Sequence, residues 1–226
     1  EFGTHLVGQL ANDRAFFRGQ TTHLLQNGEK HGNVGDLRNI FNTANAVLTA
    51  SNDVSFAGGI KLTNPWQSWR GHPTMTFDMR DVTTGANPGP RKITLGGNLY
   101  FPGHNLTAIF RGGLWDCGNK TFLYSDIYKA PSNVVHVTDG AVLANLASFS
   151  GGSYGDRTGG DAYVYVDGSS RVYTKVASLS RYGGKGGIMS ISGGSKLVAS
   201  NSGGVALALD DGGSCRDQTF VADGEG

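Results

Sequence analysis

From residue 53 onward, apolar positions recur at every second residue in short runs. Val54 and Phe56, then Gly58-Gly59, then Ile60 and Leu62, read as strand, turn, strand. Ile93, Leu95, Gly96-Gly97, Leu99 and Phe101 repeat that design, and Thr74–Met79 alternates in the same way. Alternation of this kind with β-branched and aromatic residues marks half-buried strands, and paired glycines allow a bend that other residues resist. A 3.6-residue spacing stands out at one place. Leu37, Ile40, Phe41, Ala44, Val47 and Leu48 share one helical face behind Asp36, a suitable N-cap. This predicts a helix near 36–50. The rival pattern over the same stretch is two short strands, Ala46–Thr49 and Val54–Phe56.

A longer period lies over the alternation. A phrase of apolar residue, spacers, small residues at a bend and apolar residue occurs at Ile109–Trp115, Val137–Leu143, Val166–Val172 and Ile191–Leu197. Its lead positions 109, 137, 166 and 191 are separated by 28, 29 and 25 residues. Self-similarity of this length signals stacked repeats, each burying its apolar face on the next. The expected architecture is all-β: a single-stranded parallel β-helix (solenoid) over 53–226, of about seven or eight coils and roughly 35 Å long. Residues 5–52 form a capping segment carrying the predicted helix, and caps protect open strand ends. Glu1-Phe2-Gly3-Thr4 reads as cloning residue and the chain as an excised fragment. A sandwich would place its turns at shorter, unrepeated intervals. The Leu and Asn ladder of a leucine-rich repeat is missing.

Composition agrees with many tight turns. Gly is 36 of 226 residues and Pro only 6. The net charge is +1, with 16% charged residues, which gives no electrostatic reason to expect nucleic acid or an anionic membrane as partner. The sequence has no apolar run long enough to span a membrane. Cys117 and Cys215 stand far apart in the repeats and are expected as separate thiols.

The phrases Val166-Asp167-Gly168-Ser169-Ser170 and Ile191-Ser192-Gly193-Gly194-Ser195-Lys196-Leu197 resemble coils of right-handed parallel β-helix proteins of bacterial surfaces. Autotransporter passenger domains are nearest in style, and the resemblance covers about residues 53–213. It implies a right-handed, exported, extracellular or cell-surface module of structural or adhesive type. Polysaccharide or a host or cell-surface glycan would be its partner, and self-association is a further option.

β-Helices of the pectate-lyase-like class also act as polysaccharide lyases and glycoside hydrolases, which use clustered carboxylates. Asp139, Asp161 and Asp167 are the candidate catalytic acids. Asp139 and Asp167 fall one position apart in successive repeats, which makes them a candidate calcium pair, although outward turn residues explain them equally well. The next repeat has Ser192 there. Asp210-Asp211 lies in a Gly-rich turn without a fitting partner. Scattered His5, His23 and His31 do not make a metal set, and no cofactor or metal is expected. The sequence contains no nucleophile elbow, phosphate loop or zinc-protease motif, so catalysis is not the favoured expectation. The candidate ligand-binding residues are Trp66, Trp69, Arg70 and His72, on an insert (63–73) that interrupts the repeats. Exposed indole rings can stack on sugar faces. Tyr154, Asp156 and Arg157 form a second candidate.

Overall fold

The computed structural model describes residues 4–10, 13–19, 46–50, 54–56, 60–61, 74–80, 91–100, 107–124, 133–151, 162–178, 187–203, 207–208 and 218–222. All regular structure among them is β, with no helix. One sheet runs, in spatial order, β1 (Thr4–Leu10), β2 (Asp13–Gly19), β3 (Ala46–Ala50), β6 (Thr74–Asp78), β9 (Thr107–Arg111), β11 (Asn133–Thr138), β13 (Ala162–Val166), β15 (Gly187–Ile191) and β18 (Gln218–Ala222). The other runs β4 (Val54–Phe56), β7 (Lys92–Leu95), β10 (Leu114–Tyr124), β12 (Val142–Gly151), β14 (Arg171–Ser178) and β16 (Lys196–Ala199). Short β5 (Ile60–Lys61) pairs with β8 (Leu99–Tyr100), β8 with β10, and β17 (Leu207–Ala208) with β14. From β6 onward the chain crosses repeatedly from the first sheet to the second, and these pairings are parallel.

The alternation predicts these strands well. The two strand-turn-strand units lie on each other in register: Val54 opposite Ile93, Phe56 opposite Leu95, Ile60 opposite Leu99. The predicted helix near 36–50 is corrected within Ala46–Ala50, and residues 36–45 lie outside the described residues. Ala46–Ala50 is extended, antiparallel to β2 and parallel to β6. Val47 and Thr49 are β-branched and suit a strand. Hydrogen-bond partners on both sides outweigh a periodicity that only six apolar positions suggested.

The core lies between the two sheets. Phe77 and Phe110 of the first stack at 5.1 Å, and Trp115 of the second meets Phe110 edge-on at 5.0 Å. Phe122 continues the array to Phe149, with ring centres 5.1 Å apart. All five rings are fully buried. The inward rows follow the ladder: Phe77, Phe110, Val137, Val166 and Ile191 in the first sheet, and Ile93, Trp115, Leu143, Val172 and Leu197 in the second. This moves the lead of the first repeated phrase by one residue. Phe110, not Ile109, is the equivalent of Val137, because Arg111 is held opposite Thr138. The intervals along the row are therefore 27, 29 and 25 residues.

Each phrase turns the chain from one sheet to the other with two successive left-handed residues. These are Gly112-Gly113, Asp139-Gly140, Gly168-Ser169 and Gly193-Gly194. A turn with both central residues at positive φ is closed by an i to i+3 bond, as in Ala141 N–H to Thr138 O (3.2 Å). The turns also bond to one another: Gly140 N–H donates to Gly168 O at 2.8 Å, and Ser169 N–H to Gly193 O at 3.0 Å. The glycine requirement is strictest at Gly113 (φ +81°), where a Cβ would lie 2.7 Å from Met79 Cβ and 2.8 Å from Ile93 Cδ1.

Candidate functional site

The turns bring the acids of the repeats to an outer corner, where Asp139 meets two arginines and Asp167 a histidine. Arg111 donates from Nε (2.8 Å) to Asp139 Oδ2, with Nη2 at 2.7 Å, and Arg80 Nη1 reaches the same oxygen at 3.2 Å. Arg80 also grips Asp78 through Nε (2.9 Å) and Nη2 (2.7 Å). Burial alone would raise the Asp78 pKa. The Arg80 hydrogen bonds, with the charges of Arg80 and Arg111, hold it below the ordinary carboxylate value. The same bond to Asp78 raises the Arg80 pKa despite desolvation. Asp167 accepts from His136 Nε2 at 2.7 Å, and the imidazole lies edge-on to Tyr165, ring centres 6.1 Å apart.

Asp139 and Asp167 are offset by one position, as the repeats suggest, because Val137 lies opposite Val166. They are held by different partners, Asp139 by Arg80 and Arg111 and Asp167 by His136. The described residues contain no group of three or more His, Cys, Asp or Glu side chains placed to hold a metal. Asp161, Trp66, Trp69, Arg70 and His72 lie outside the described residues, as do Tyr154, Asp156, Arg157 and Asp210-Asp211. Cys117 is a buried free thiol whose pKa is pushed up to about 12, chiefly by burial and secondarily by the Asp116 charge. Cys215 lies outside the described residues.

A second arrangement, on the outer face of the other sheet, was not singled out by the sequence. β10 and β12 carry extra residues relative to their neighbours. The ladder shifts between Asp116 and Lys120 of β10, and between Leu143 and Leu146 of β12. Gly118, Asn119 and Asn145 take left-handed conformations to absorb the surplus; Asn tolerates this region better than most residues do. Asp116 fixes the bulge. Its Oδ1 accepts from Asn145 Nδ2 (3.1 Å) and from Gly118 N–H (3.2 Å), and these two bonds lower its pKa. β14 has no such shift against β16.

The step between bulged and unbulged strands leaves an open groove of about 460 Å³, lined by residues including Asn119, Asn145, Tyr173, Lys175 and Ser200. The Tyr173 residue is 40% exposed. Its legible signal was the strict alternation of Arg171-Val172-Tyr173-Thr174-Lys175, with Arg171, Tyr173 and Lys175 outward.

No protein family, no curated protein and no solved structure matches this chain.

Proposed function

We propose that the chain is a right-handed parallel β-helix module of about seven or eight coils at the usual strand spacing. Its role is structural or adhesive at a bacterial surface, and glycans are its partners. The observation that supports this reading is the parallel pairing of both sheets from β3 onward, with the repeated phrases stacked turn on turn. Such a rod exposes long faces and needs no enclosed active site. Of the acids among which a lyase or glycosidase reading looks (Asp139, Asp161 and Asp167), Asp139 is held by Arg80 and Arg111 and Asp167 by His136. A calcium-dependent depolymerase would need them to converge.

A glycan-array screen combined with a reducing-end assay on the bound polysaccharides tests the proposal. Retention of glycans without chain shortening is expected. Depolymerisation would replace this reading with the enzymatic one. Light scattering on the same sample checks self-association, the other use of a stacked rod.

A further inference from the structure

The outer face of β14 and β16 carries a local charge imbalance that the net charge of the chain conceals. Arg171 lies opposite Lys196 in the ladder, and Tyr173 opposite Val198. With Lys175, this puts three exposed cations and an exposed tyrosine on two adjacent strands, with no acid among their outward residues. Arg171, Tyr173, Lys175 and Lys196 form no side-chain hydrogen bond or ion pair with the described residues. Like charges directly opposite each other in a ladder are destabilising. By contrast, Arg80 and Arg111 are matched to Asp78 and Asp139, and Lys92 to Asp116 at 3.9 Å. Lys175 lines the groove with Asn119, Asn145 and Tyr173, and the Arg171–Lys196 pair lies two ladder positions away from Tyr173.

We propose that this groove and the Arg171–Lys196 pair beside it form a binding site for an anionic saccharide chain. One sugar ring lies on the face of Tyr173. The Asn119 and Asn145 amides meet its hydroxyls, with the Asn145 Nδ2 already committed to Asp116 and its Oδ1 left to accept. Carboxylate or sulfate groups lie against Lys175, Arg171 and Lys196. An amide offers both donor and acceptor, which suits the hydroxyls of a sugar ring. A large, semi-rigid tyrosine offers contact area at small entropic cost. A nucleic acid fits less well: one exposed ring and three cations do not make the series of stacking platforms and the charged track that single strands require. The inference rests on the glycan-binding reading above and names its site and ligand class.

The test measures binding of the full chain to immobilised hyaluronan (carboxylated), heparin (sulfated), dextran (neutral) and duplex DNA. Retention on hyaluronan or heparin but not dextran is expected, weakening with added salt. The better of the two identifies carboxylate or sulfate as the anion recognised. Tyr173→Ala and the double variant Arg171→Glu/Lys196→Glu are expected to raise Kd on the order of tenfold or more. Tyr173→Phe retains binding, and Tyr165→Ala, on the other sheet, leaves it unchanged. These side chains are exposed, and circular dichroism confirms that each variant is folded. Glycan binding that survives both groove variants, or equal binding to dextran, overturns the site while leaving the glycan reading intact. Stronger binding of DNA overturns the saccharide. Absence of binding to any glycan overturns both readings.

Discussion

Arg80 joins two carboxylates that lie 61 positions apart in the chain: its Nη2 is 2.7 Å from Asp78 Oδ2, and its Nη1 is 3.2 Å from Asp139 Oδ2. The two acids differ in surroundings. The Asp78 side chain is 8% exposed, that of Asp139 36%. Only the former is desolvated enough for the pair to matter strongly to stability, since exposed ion pairs contribute little. Asp78→Asn should therefore destabilise by about 1–3 kcal/mol, because the Arg80 hydrogen bonds lose their charged acceptor. Asp139→Asn should cost under about 1 kcal/mol. Urea unfolding at neutral pH compares the two, and an equal cost would contradict the assignment.

The lowered pKa of Asp78 sets the direction of its pH dependence. A depressed folded-state value contributes stability above the unfolded carboxylate value, about 3.9, and the contribution is lost as pH falls through the folded value. Asp116, also depressed, acts in the same sense. Stability should fall below about pH 4, and Asp78→Asn should flatten that fall without abolishing it. Thermal melts across the acid range measure both slopes; parallel curves for the two proteins would refute the claim.

Phe110 and Ile109 are adjacent apolar residues with opposite fates. Phe110 is fully buried against Phe77, Trp115 and Phe122, whereas Ile109 lies on the other face and is partly exposed. Phe110→Ala should cost about 3–5 kcal/mol, the range for an aromatic removed from a packed core. Ile109→Ala should cost much less. The reverse order in denaturant titrations would shift the register of the whole first sheet by one residue.

Two turn glycines share a left-handed backbone but differ in their surroundings. A Cβ at Gly140 (φ +73°) meets nothing within 4 Å, so Gly140→Ala carries only the left-handed penalty of about 1–2 kcal/mol. A Cβ at Gly113 overlaps Met79 and Ile93, and Gly113→Ala should be the more destabilising of the two. Melting temperatures of the pair decide this directly.

The Cys117 thiol, with its pKa pushed up to about 12 by burial, is almost wholly protonated near neutral pH. The thiolate is the reactive form. In a Cys215→Ser background, an aromatic disulfide reagent should leave the native protein unlabelled and release one equivalent per chain in denaturant. Rapid labelling of the native state would show that Cys117 is accessible.

Local chemistry made much of the fold legible. Alternation located β4, β5, β6, β7 and β8 close to their observed bounds, because period two and Gly-Gly bends depend only on neighbouring residues. The repeat length foretold that equivalent strands would stack. The stretch near 36–50 misled for the opposite reason. Its apolar spacing is compatible with a helix, and the ladders to β2 and β6 that make Ala46–Ala50 a strand come from residues far away in sequence. The groove at Tyr173 and Lys175 escaped notice similarly. It exists because β10 and β12 bulge where β14 does not, a mismatch visible only once the three strands lie side by side.

The sequence by itself determined the parallel-stacking β strands of the described repeats and their glycine-bearing turns. Those properties follow from side-chain period and from the backbone freedom of individual residues. Only the tertiary structure decided that Phe110 faces inward, that Asp139 and Asp167 answer to different partners, and that Arg171 and Lys196 stand opposite each other, unmatched among the described residues. Each of these depends on register between strands at least 25 residues apart, and register is settled by packing across the core and by ladder hydrogen bonds.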